Sequence, residues 1–253
     1  MPMSSFLDVM RIYSQLADER LADPWTWREG GPRHAVREAL YRSLDEEHMA
    51  AAHLLPQSES VAILRMAQGA FGDLRGLLMG IEEAQFDEVP TPGEWTIRQT
   101  MVHMIDTELR YGAQAEWARR RRPDEPVRIP DDKLPPKSDS SGSLSDMLDR
   151  LAGAREETDR RNADITSDEM TLPTIWGGFE VDLRFRIHRF AGHLIEHTIQ
   201  CEKTLAVLAG YRETEARRIV RRISSARGRH EHSSDNGVLS RLDQAHDQRA
   251  RSI

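Results

Sequence analysis

Two histidines, His193 and His197, stand four residues apart in the mostly apolar segment FAGHLIEHTI at residues 190–199. On an α-helix this spacing places both imidazoles on one face, about 40° apart, close enough for the two rings to bind one metal ion. Neutral imidazole is a ligand for zinc, nickel, copper and iron(II). The pair therefore predicts a metal site on the inner face of a helix.

A third histidine, His103, lies far upstream in another helix-like segment, residues 97–106. Three histidines from two helices would leave a coordination position for water or a substrate, which is the arrangement of catalytic metal sites. We therefore predict that His103, His193 and His197 bind one divalent metal ion. The alternative from the residues alone is that all three are hydrogen-bonded histidines at the edge of a core, without a metal.

Three further residues near the pair differ in what they can contribute. His188 is nine residues from His197, about 180° around the helix, so we exclude it from the site. Cys201 lies almost on the face of His197; a thiolate ligand is conceivable there, but a small buried core residue is the favoured interpretation. Glu196 lies about 60° from His193, so it could contact a metal ligand or a bound water. A solvated glutamate, or one paired with a nearby cation, fits its position equally.

The five residues at 193–197 also match the H-x-x-E-H pattern of the inverted zinc proteases, in which the glutamate activates water. Those enzymes need a further acidic ligand in a large α+β domain. The chain after His197 is rich in arginine and carries no strand signal. We therefore favour a helical metal protein over a protease of this kind.

Helices must position these histidines, because apolar residues recur at spacings of three and four and alternating strand patterns are almost absent. Capping boxes at Thr96 with Gln99 and at Ser143 with Asp146 predict two helix starts. The proline-rich segment 122–142 predicts a long loop between these helices. Four long helices are predicted, at about residues 61–78, 96–121, 143–165 and 180–208. The predicted fold class is all-α, with a four-helix bundle whose second and fourth helices carry the histidines.

Two extensions flank the predicted bundle. The N-terminal one is predicted to be a helical hairpin, with Pro32 in the first turn of its second helix. The C-terminal one is rich in arginine and is predicted to be helical or partly disordered; His230 and His232 are excluded as ligands because they lie near the segment expected to be disordered. The predicted domains are residues 1–55, 56–210 and 211–253.

The arginines after residue 210 fit a short helix with a charged outer face. Contact with nucleic acid or with an anionic cofactor is the alternative, and a strong salt dependence of binding would indicate it. The residues predicted to pack inward on this helix are Ala216, Ile219, Val220 and Ile223. Packing on the rest of the protein is the favoured interpretation.

The composition fits a globular protein, because 253 residues with 38% hydrophobic side chains can form a packed core. No segment approaches the roughly 18 consecutive apolar residues of a membrane helix, and the N-terminal segment lacks a signal-peptide layout. The single cysteine precludes an internal disulfide. We therefore expect a cytoplasmic protein. The net charge of −7 makes nucleic-acid binding by the whole protein an unfavoured function.

Two motifs resemble those of a known family, the DinB/YfiT-like metal-binding four-helix bundles. One is GEWTIRQ at residues 93–99 leading into VHMIDTE at 102–108, and the other is IHRFAGHLIEHTIQ at 187–200. The similarity covers about residues 58–210. In that family a tryptophan precedes the second helix, whose histidine joins an H-x-x-x-H pair from the fourth helix. The resemblance thus implies the same metal ligands, His103, His193 and His197.

The resemblance implies a fold more firmly than a reaction. Characterised relatives include transferases and isomerases that use small thiols such as bacillithiol or mycothiol, and some members self-associate. We therefore expect a metal-dependent thiol S-transferase that uses zinc or nickel, acts on a small-molecule thiol and an electrophilic substrate, and forms a homodimer. A metal-dependent hydrolase and a non-catalytic metal-binding stress protein are the alternatives.

Two tryptophans, Trp95 and Trp176, flank the predicted starts of the histidine-bearing helices. Both are therefore candidate walls of a pocket beside the metal. Core packing is the favoured interpretation for each.

Overall fold

A computed structural model describes residues 5–26, 30–52, 54 and 58–253 of the chain. In these residues the α-helices are α1 (Phe6–Ser14), α2 (Val36–Ala52), α3 (Glu59–Leu78), α4 (Glu83–Asp87), α5 (Ile97–Arg120), α6 (Leu144–Asn162), α7 (Leu183–Val207), α8 (Glu215–Glu231) and α9 (Asn236–Ala250). The strands are β1 (Pro24–Thr26), β2 (Arg33–Ala35), β3 (Pro173–Trp176) and β4 (Phe179–Asp182). Among the helices described, none is both long and apolar enough to cross a membrane.

The chain divides into two compact units. The first contains Met1–Leu55, Phe71–Ile81 and Gly210–Ile253, and the second contains Pro56–Ala70 and Glu82–Ala209. The two terminal segments therefore belong to one unit, and α3 contributes its beginning to the second unit and its end to the first. The predicted boundary between residues 55 and 56 lies outside the described residues, and the three-part division stays a prediction.

The second unit is a four-helix bundle made of the first part of α3 together with α5, α6 and α7. Helix α5 packs along both α6 and α7. The capping boxes predicted at Thr96 and Ser143 are present and begin α5 and α6. Apolar residues of α3, α5 and α7 form a shared buried core: Ile63, Ala67, Ala115, Ala118, Leu183, Ile187, Phe190 and Ala191. The predicted all-α bundle is thus confirmed, and α5 and α7 are its histidine-bearing helices.

A β-hairpin precedes α7, where the sequence predicted only a break in the chain. Strands β3 and β4 pair antiparallel, with Trp176 opposite Phe179. The turn between them consists of Gly177 and Gly178, whose φ angles are 57° and 89°. Positive φ at both turn positions is the requirement of the tight turns that join twisted antiparallel strands, and glycine meets it without steric cost. Asp182 then ends the hairpin and caps α7, because its Oδ1 accepts a hydrogen bond from the Phe185 amide at 2.7 Å.

The first unit contains α1, α2, α8 and α9 and the end of α3. Its core includes the four residues predicted to pack inward on α8, which are Ala216, Ile219, Val220 and Ile223. The short-helix interpretation of the arginine-rich segment is therefore confirmed. The N-terminal segment is not a simple helical hairpin, because β1 and β2 pair between α1 and α2. Helix α2 begins at Val36, so the predicted helix start at Pro32 is wrong; residues 33–35 pair with β1 before the helix can begin.

A buried polar cluster in the first unit joins α2, α8 and α9. Its centre is Glu47, which is fully buried, as are His230 and His246. Glu47 Oε2 lies 2.6 Å from His230 Nε2, and Oε1 lies 2.7 Å from His246 Nε2 and 3.3 Å from an Arg227 guanidinium nitrogen. Burial alone would raise the pKa of Glu47, but the two histidine hydrogen bonds and the Arg227 charge lower it to about 2. His230 therefore has a structural partner that its position in the arginine-rich tail did not predict.

Candidate metal centre

Three histidines from α5 and α7 converge in the second unit. His193 and His197 lie one turn apart on α7, with ring centroids separated by 4.4 Å. His103 on α5 lies 5.0 Å from the His193 ring and 4.7 Å from the His197 ring. The Nε2 atoms of His103 and His193 are 3.1 Å apart. One ring nitrogen from each histidine lies within 4.8 Å of the others, which is the spacing of a group that could hold one metal ion.

The cluster is closed on one side and accessible on the other. His193 is buried at 7% exposure, whereas His103 and His197 are half-buried. Ligand nitrogens can therefore converge from the bundle while a solvent-derived or substrate ligand approaches from outside.

The pKa values of two histidines of the cluster, His193 and His103, are lowered. Burial, followed by the proximity of His197 and His103, lowers the pKa of His193 to about 3. Burial, followed by the proximity of His197, also lowers the pKa of His103. A neutral imidazole offers a nitrogen lone pair, which is the form that binds metals. Two Nε2 atoms at 3.1 Å can share only one proton, whereas a cation would engage both lone pairs, so the donor set fits a divalent metal.

Gln200 fixes the orientation of the His197 ring. Its Oε1 lies 2.8 Å from His197 Nδ1. An amide oxygen only accepts hydrogen bonds, so Nδ1 donates and Nε2 keeps its lone pair. A hydrogen bond to the second ring nitrogen is the usual device that sets the tautomer of a metal-binding histidine.

Aromatic rings flank the histidines. Trp95 is 42% exposed, and its ring centroid lies 5.2 Å from that of His103. The expectation of core packing is therefore wrong for Trp95, because its position just before α5 leaves the ring at the edge of the bundle. Tyr111 lies 5.7 Å from the His193 ring, and its hydroxyl is 3.4 Å from Trp176 Nε1. Trp176 thus contacts Tyr111, which in turn contacts the His193 ring.

Two other residues of α7, Glu196 and His188, are not part of the histidine cluster. Both carboxylate oxygens of Glu196 accept hydrogen bonds from the Arg189 guanidinium at 2.9 Å, and these bonds lower the pKa of Glu196. A role of Glu196 toward the metal stays a prediction. His188 is exposed on α7, in agreement with its exclusion from the ligand set.

Cys201 is fully buried one turn after His197 and is not part of the histidine cluster among the residues described. Burial raises the pKa of its thiol to about 12. Because the thiolate is the reactive form, we expect a disulfide reagent such as DTNB to label the native protein at least about 100-fold more slowly than the urea-unfolded chain. Absorbance of the released thiolate measures both rates, and fast labelling of the native protein would show that Cys201 is accessible.

Sequence reasoning missed two residues that contact the ligands, Gln200 and Tyr111. The contact of Gln200 with His197 could have been predicted, because residues three apart on a helix are neighbours on its surface. Tyr111 carries no such signal, because its contact with His193 crosses from α5 to α7.

A comparison with family models matches residues 67–201 to the DinB superfamily. The matched span includes all three histidines and also Gln200. Comparisons with curated proteins and with solved structures find no match.

Proposed function

The chain belongs to the DinB superfamily, and from this premise we propose that it is a metal-dependent enzyme in which His103, His193 and His197 bind one divalent ion, zinc or nickel. The convergence of three imidazole nitrogens within 4.8 Å carries the proposal. Three protein ligands leave a coordination position for an exogenous group, and the half-buried edge of the cluster gives access to it.

The proposed reaction is the transfer of a small thiol, such as bacillithiol or mycothiol, to an electrophile. A bound divalent ion would lower the pKa of the thiol and supply a thiolate nucleophile at neutral pH. Overall, the sulfur bonds to the electrophilic carbon, the bond from that carbon to its leaving group breaks, and the thiol proton passes to solvent. Trp95 offers an exposed aromatic wall beside His103 against which the electrophile can pack.

We propose neither Glu196 nor Cys201 as the nucleophile or the base of this reaction. Glu196 is held by Arg189, and Cys201 is fully buried with a raised pKa. The proposed reaction therefore draws its nucleophile from the cosubstrate. The protein's part is to hold the three imidazoles in place and to admit the substrates from the half-buried side.

Metal analysis followed by a thiol assay tests this function. The purified chain should carry about one zinc or nickel ion per molecule, measured by plasma mass spectrometry. It should then consume bacillithiol or mycothiol in the presence of 1-chloro-2,4-dinitrobenzene and lose this activity on chelation. Absence of stoichiometric metal, with no change in melting temperature on adding zinc or nickel, would refute the metal site. Metal binding with ester hydrolysis but no thiol consumption would favour the hydrolase, and metal binding with neither reaction would favour a non-catalytic protein.

Replacing Gln200 with leucine should weaken metal binding without removing a ligand. The variant loses the acceptor that holds His197 Nδ1, and loss of such an outer contact typically costs 10–100-fold in metal affinity. Chelator competition measures the change. Glutamate at the same position keeps an acceptor oxygen, so Gln200→Glu should retain affinity close to that of the wild type. Equal affinities for the leucine variant and the wild type would show that Gln200 does not orient His197.

Self-association and location are separate proposals. The family resemblance is the basis for proposing a homodimer, and the composition and N-terminal segment are the basis for proposing a cytoplasmic location. Light scattering coupled to size exclusion would measure the oligomeric state, and a monomer at micromolar concentration would overturn the dimer.

A further inference from the structure

A polar cavity of about 270 Å³ lies in the second unit beside α5. Residues of α5, of the proline-rich loop and of the β3–β4 hairpin line it: Arg110, Gln114, Trp117, Arg128, Ile129, Asp131, Leu134, Thr174, Ile175, Gly177 and Gly178. None of these residues is needed for the proposed metal ligands. The cavity is therefore a separate feature of the bundle.

Two arginines of this cavity lack partners. The side chains of Arg110 and Arg128 make no hydrogen bond or ion pair with any residue in the described ranges. Arginines further along α5 behave differently, since Arg119 pairs with Glu169 at 2.9 Å and Arg120 with Glu116 at 2.9 Å. The cavity thus brings together one unpaired guanidinium from α5 and one from the proline-rich loop.

A third guanidinium stands behind the hairpin wall. Arg186 is 1% exposed, and it donates a hydrogen bond to the carbonyl of Ile175, a residue that lines the cavity. Its guanidinium carbon lies 4.8 Å above the Tyr111 ring, and its Nε finds no acceptor among the described residues. No carboxylate of the described chain pairs with it. Burial lowers its pKa to about 10, so it is still cationic at neutral pH. A buried charge without a counterion is costly, and it favours an anion nearby.

The cavity also contains groups that can contact the uncharged part of a ligand. Gln114 Oε1 is buried and accepts no hydrogen bond in the described residues. Trp117 is held in place because its Nε1 donates to the Pro126 carbonyl at 3.0 Å and Lys133 Nζ lies 4.3 Å above its ring. Asp131 adds one carboxylate to the lining, so the two lining arginines leave the wall with a positive excess.

Helix geometry aligns this cavity with the histidine cluster. Arg110 follows His103 by seven residues and Gln114 follows it by eleven, so all three lie on nearly the same face of α5. At 1.5 Å per residue the rise from His103 is about 10 Å to Arg110 and about 16 Å to Gln114. A molecule of ordinary metabolite length can therefore span from the cluster to the cavity.

We propose that this cavity binds the carboxylate end of a small acidic molecule, with Arg110 and Arg128 as the direct contacts and Gln114 Oε1 accepting from a donor on the same molecule. Arginine suits this role because its planar guanidinium matches the two oxygens of a carboxylate. If the proposed function holds, the ligand is a substrate with an acidic distal end and its reactive end at the metal. The inference that the bound acid is a substrate rests on the proposed function. The inference that the cavity binds an anion is independent of it.

Calorimetric titration of the full-length protein with glutarate tests the anion site. We expect binding in the millimolar range or tighter, weakened at least about tenfold in the Arg110→Gln/Arg128→Gln double variant, since each charge-assisted contact contributes a sizeable fraction of the binding energy. The matched control is Arg120→Gln, a charge loss on the same helix outside the cavity, which should change the affinity less than twofold. Absence of glutarate binding to the wild type, or equal losses in the two variants, would overturn the proposal.

Two further titrations define the ligand class. Inorganic phosphate should bind more weakly than glutarate, and a reversed order would overturn the carboxylate assignment. Addition of a hydroxyl, as in 2-hydroxyglutarate, should increase affinity in the wild type but not in Gln114→Leu; equal affinity for the two acids in the wild type would overturn the Gln114 contact.

The His193→Ala variant separates this site from the metal. It should bind glutarate as tightly as the wild type, because the cavity contains none of the three histidines. If the wild-type protein binds glutarate but contains no stoichiometric metal, the anion site is supported and only the proposed function is refuted. A loss of glutarate binding in a folded His193→Ala variant would overturn the independence of the two sites.

Discussion

Replacing His193 with alanine should abolish stoichiometric binding of zinc or nickel while leaving a folded helical protein. His193 is the most buried ligand of the cluster, and its Nε2 lies 3.1 Å from that of His103. Loss of a contact outside the ligand set already costs 10–100-fold in metal affinity, so loss of a ligand should cost at least about 1,000-fold. Plasma mass spectrometry measures metal content, and chelator competition measures the affinity.

The same variant should lose the stabilisation that metal gives to the wild type. A ligand present at 100 times its Kd stabilises the folded state by about 2.7 kcal/mol. For a protein of this size that corresponds to a rise in Tm of roughly 5–10 °C. We expect this rise for the wild type on adding zinc or nickel, and none for His193→Ala.

His188→Ala is the matched control for this experiment. It removes a histidine from the same helix, five residues away, but from an exposed position outside the cluster. Its metal content and Tm shift should equal those of the wild type. Wild-type metal retention in His193→Ala, or equal losses in the two variants, would contradict the assigned ligand set.

The histidine cluster could be predicted because its determinants are local. The spacing of His193 and His197 sets both rings on one face of α7, and the capping box at Thr96 sets where α5 begins. The packing of α5 against α7 is non-local. It was predicted from the four-helix pattern and from the family resemblance together, because no local spacing can show it.

Other parts of the structure lack comparable local determinants. Strands β3 and β4 are four residues long, too short for a clear alternation, and the Gly177-Gly178 pair predicted only a break in the chain. Helix α8 is the exception, because the spacing of its apolar residues and arginines was enough to predict a helix. The charge of Arg110 is visible in the sequence, but its lack of a partner is a property of the folded chain.

The contacts of Glu47 join residues far apart in the sequence, and periodicity cannot predict such contacts. The carboxylate lies 183 residues from His230 and 199 from His246, yet both bonds are shorter than 2.8 Å. His246 Nδ1 accepts a hydrogen bond from the Arg249 guanidinium, and His230 Nδ1 pairs with the Ser234 hydroxyl. The Arg227 guanidinium lies 3.3 Å from the carboxylate of Glu47 and also pairs with Asp243 at 2.9 Å.

Replacing Glu47 with glutamine should destabilise the first unit by about 3–5 kcal/mol. The change keeps the shape of the side chain but removes the fully buried carboxylate from Arg227, which keeps its ion pair with Asp243, and it points an amide donor at a histidine nitrogen. Hydrogen exchange followed by mass spectrometry measures this locally, through peptides of α2, α8 and α9. Asp45→Asn is the matched control, because it makes the same acid-to-amide change in an exposed ion pair of α2 and should alter protection little.

The same carboxylate should make the first unit sensitive to acid. The folded-state pKa of Glu47 is about 2, below its usual value of 4.5, so its contribution is fully present above pH 4.5 and is lost as the pH falls toward 2. At about 1.4 kcal/mol for each pKa unit, this contribution is about 3 kcal/mol. Between pH 6 and pH 3 the wild type should therefore lose more protection in α2, α8 and α9 than Glu47→Gln does, while Asp45→Asn follows the wild type. Parallel losses in all three proteins would show that Glu47 is not the group whose protonation weakens this unit, because only the glutamine variant has no carboxylate there to protonate.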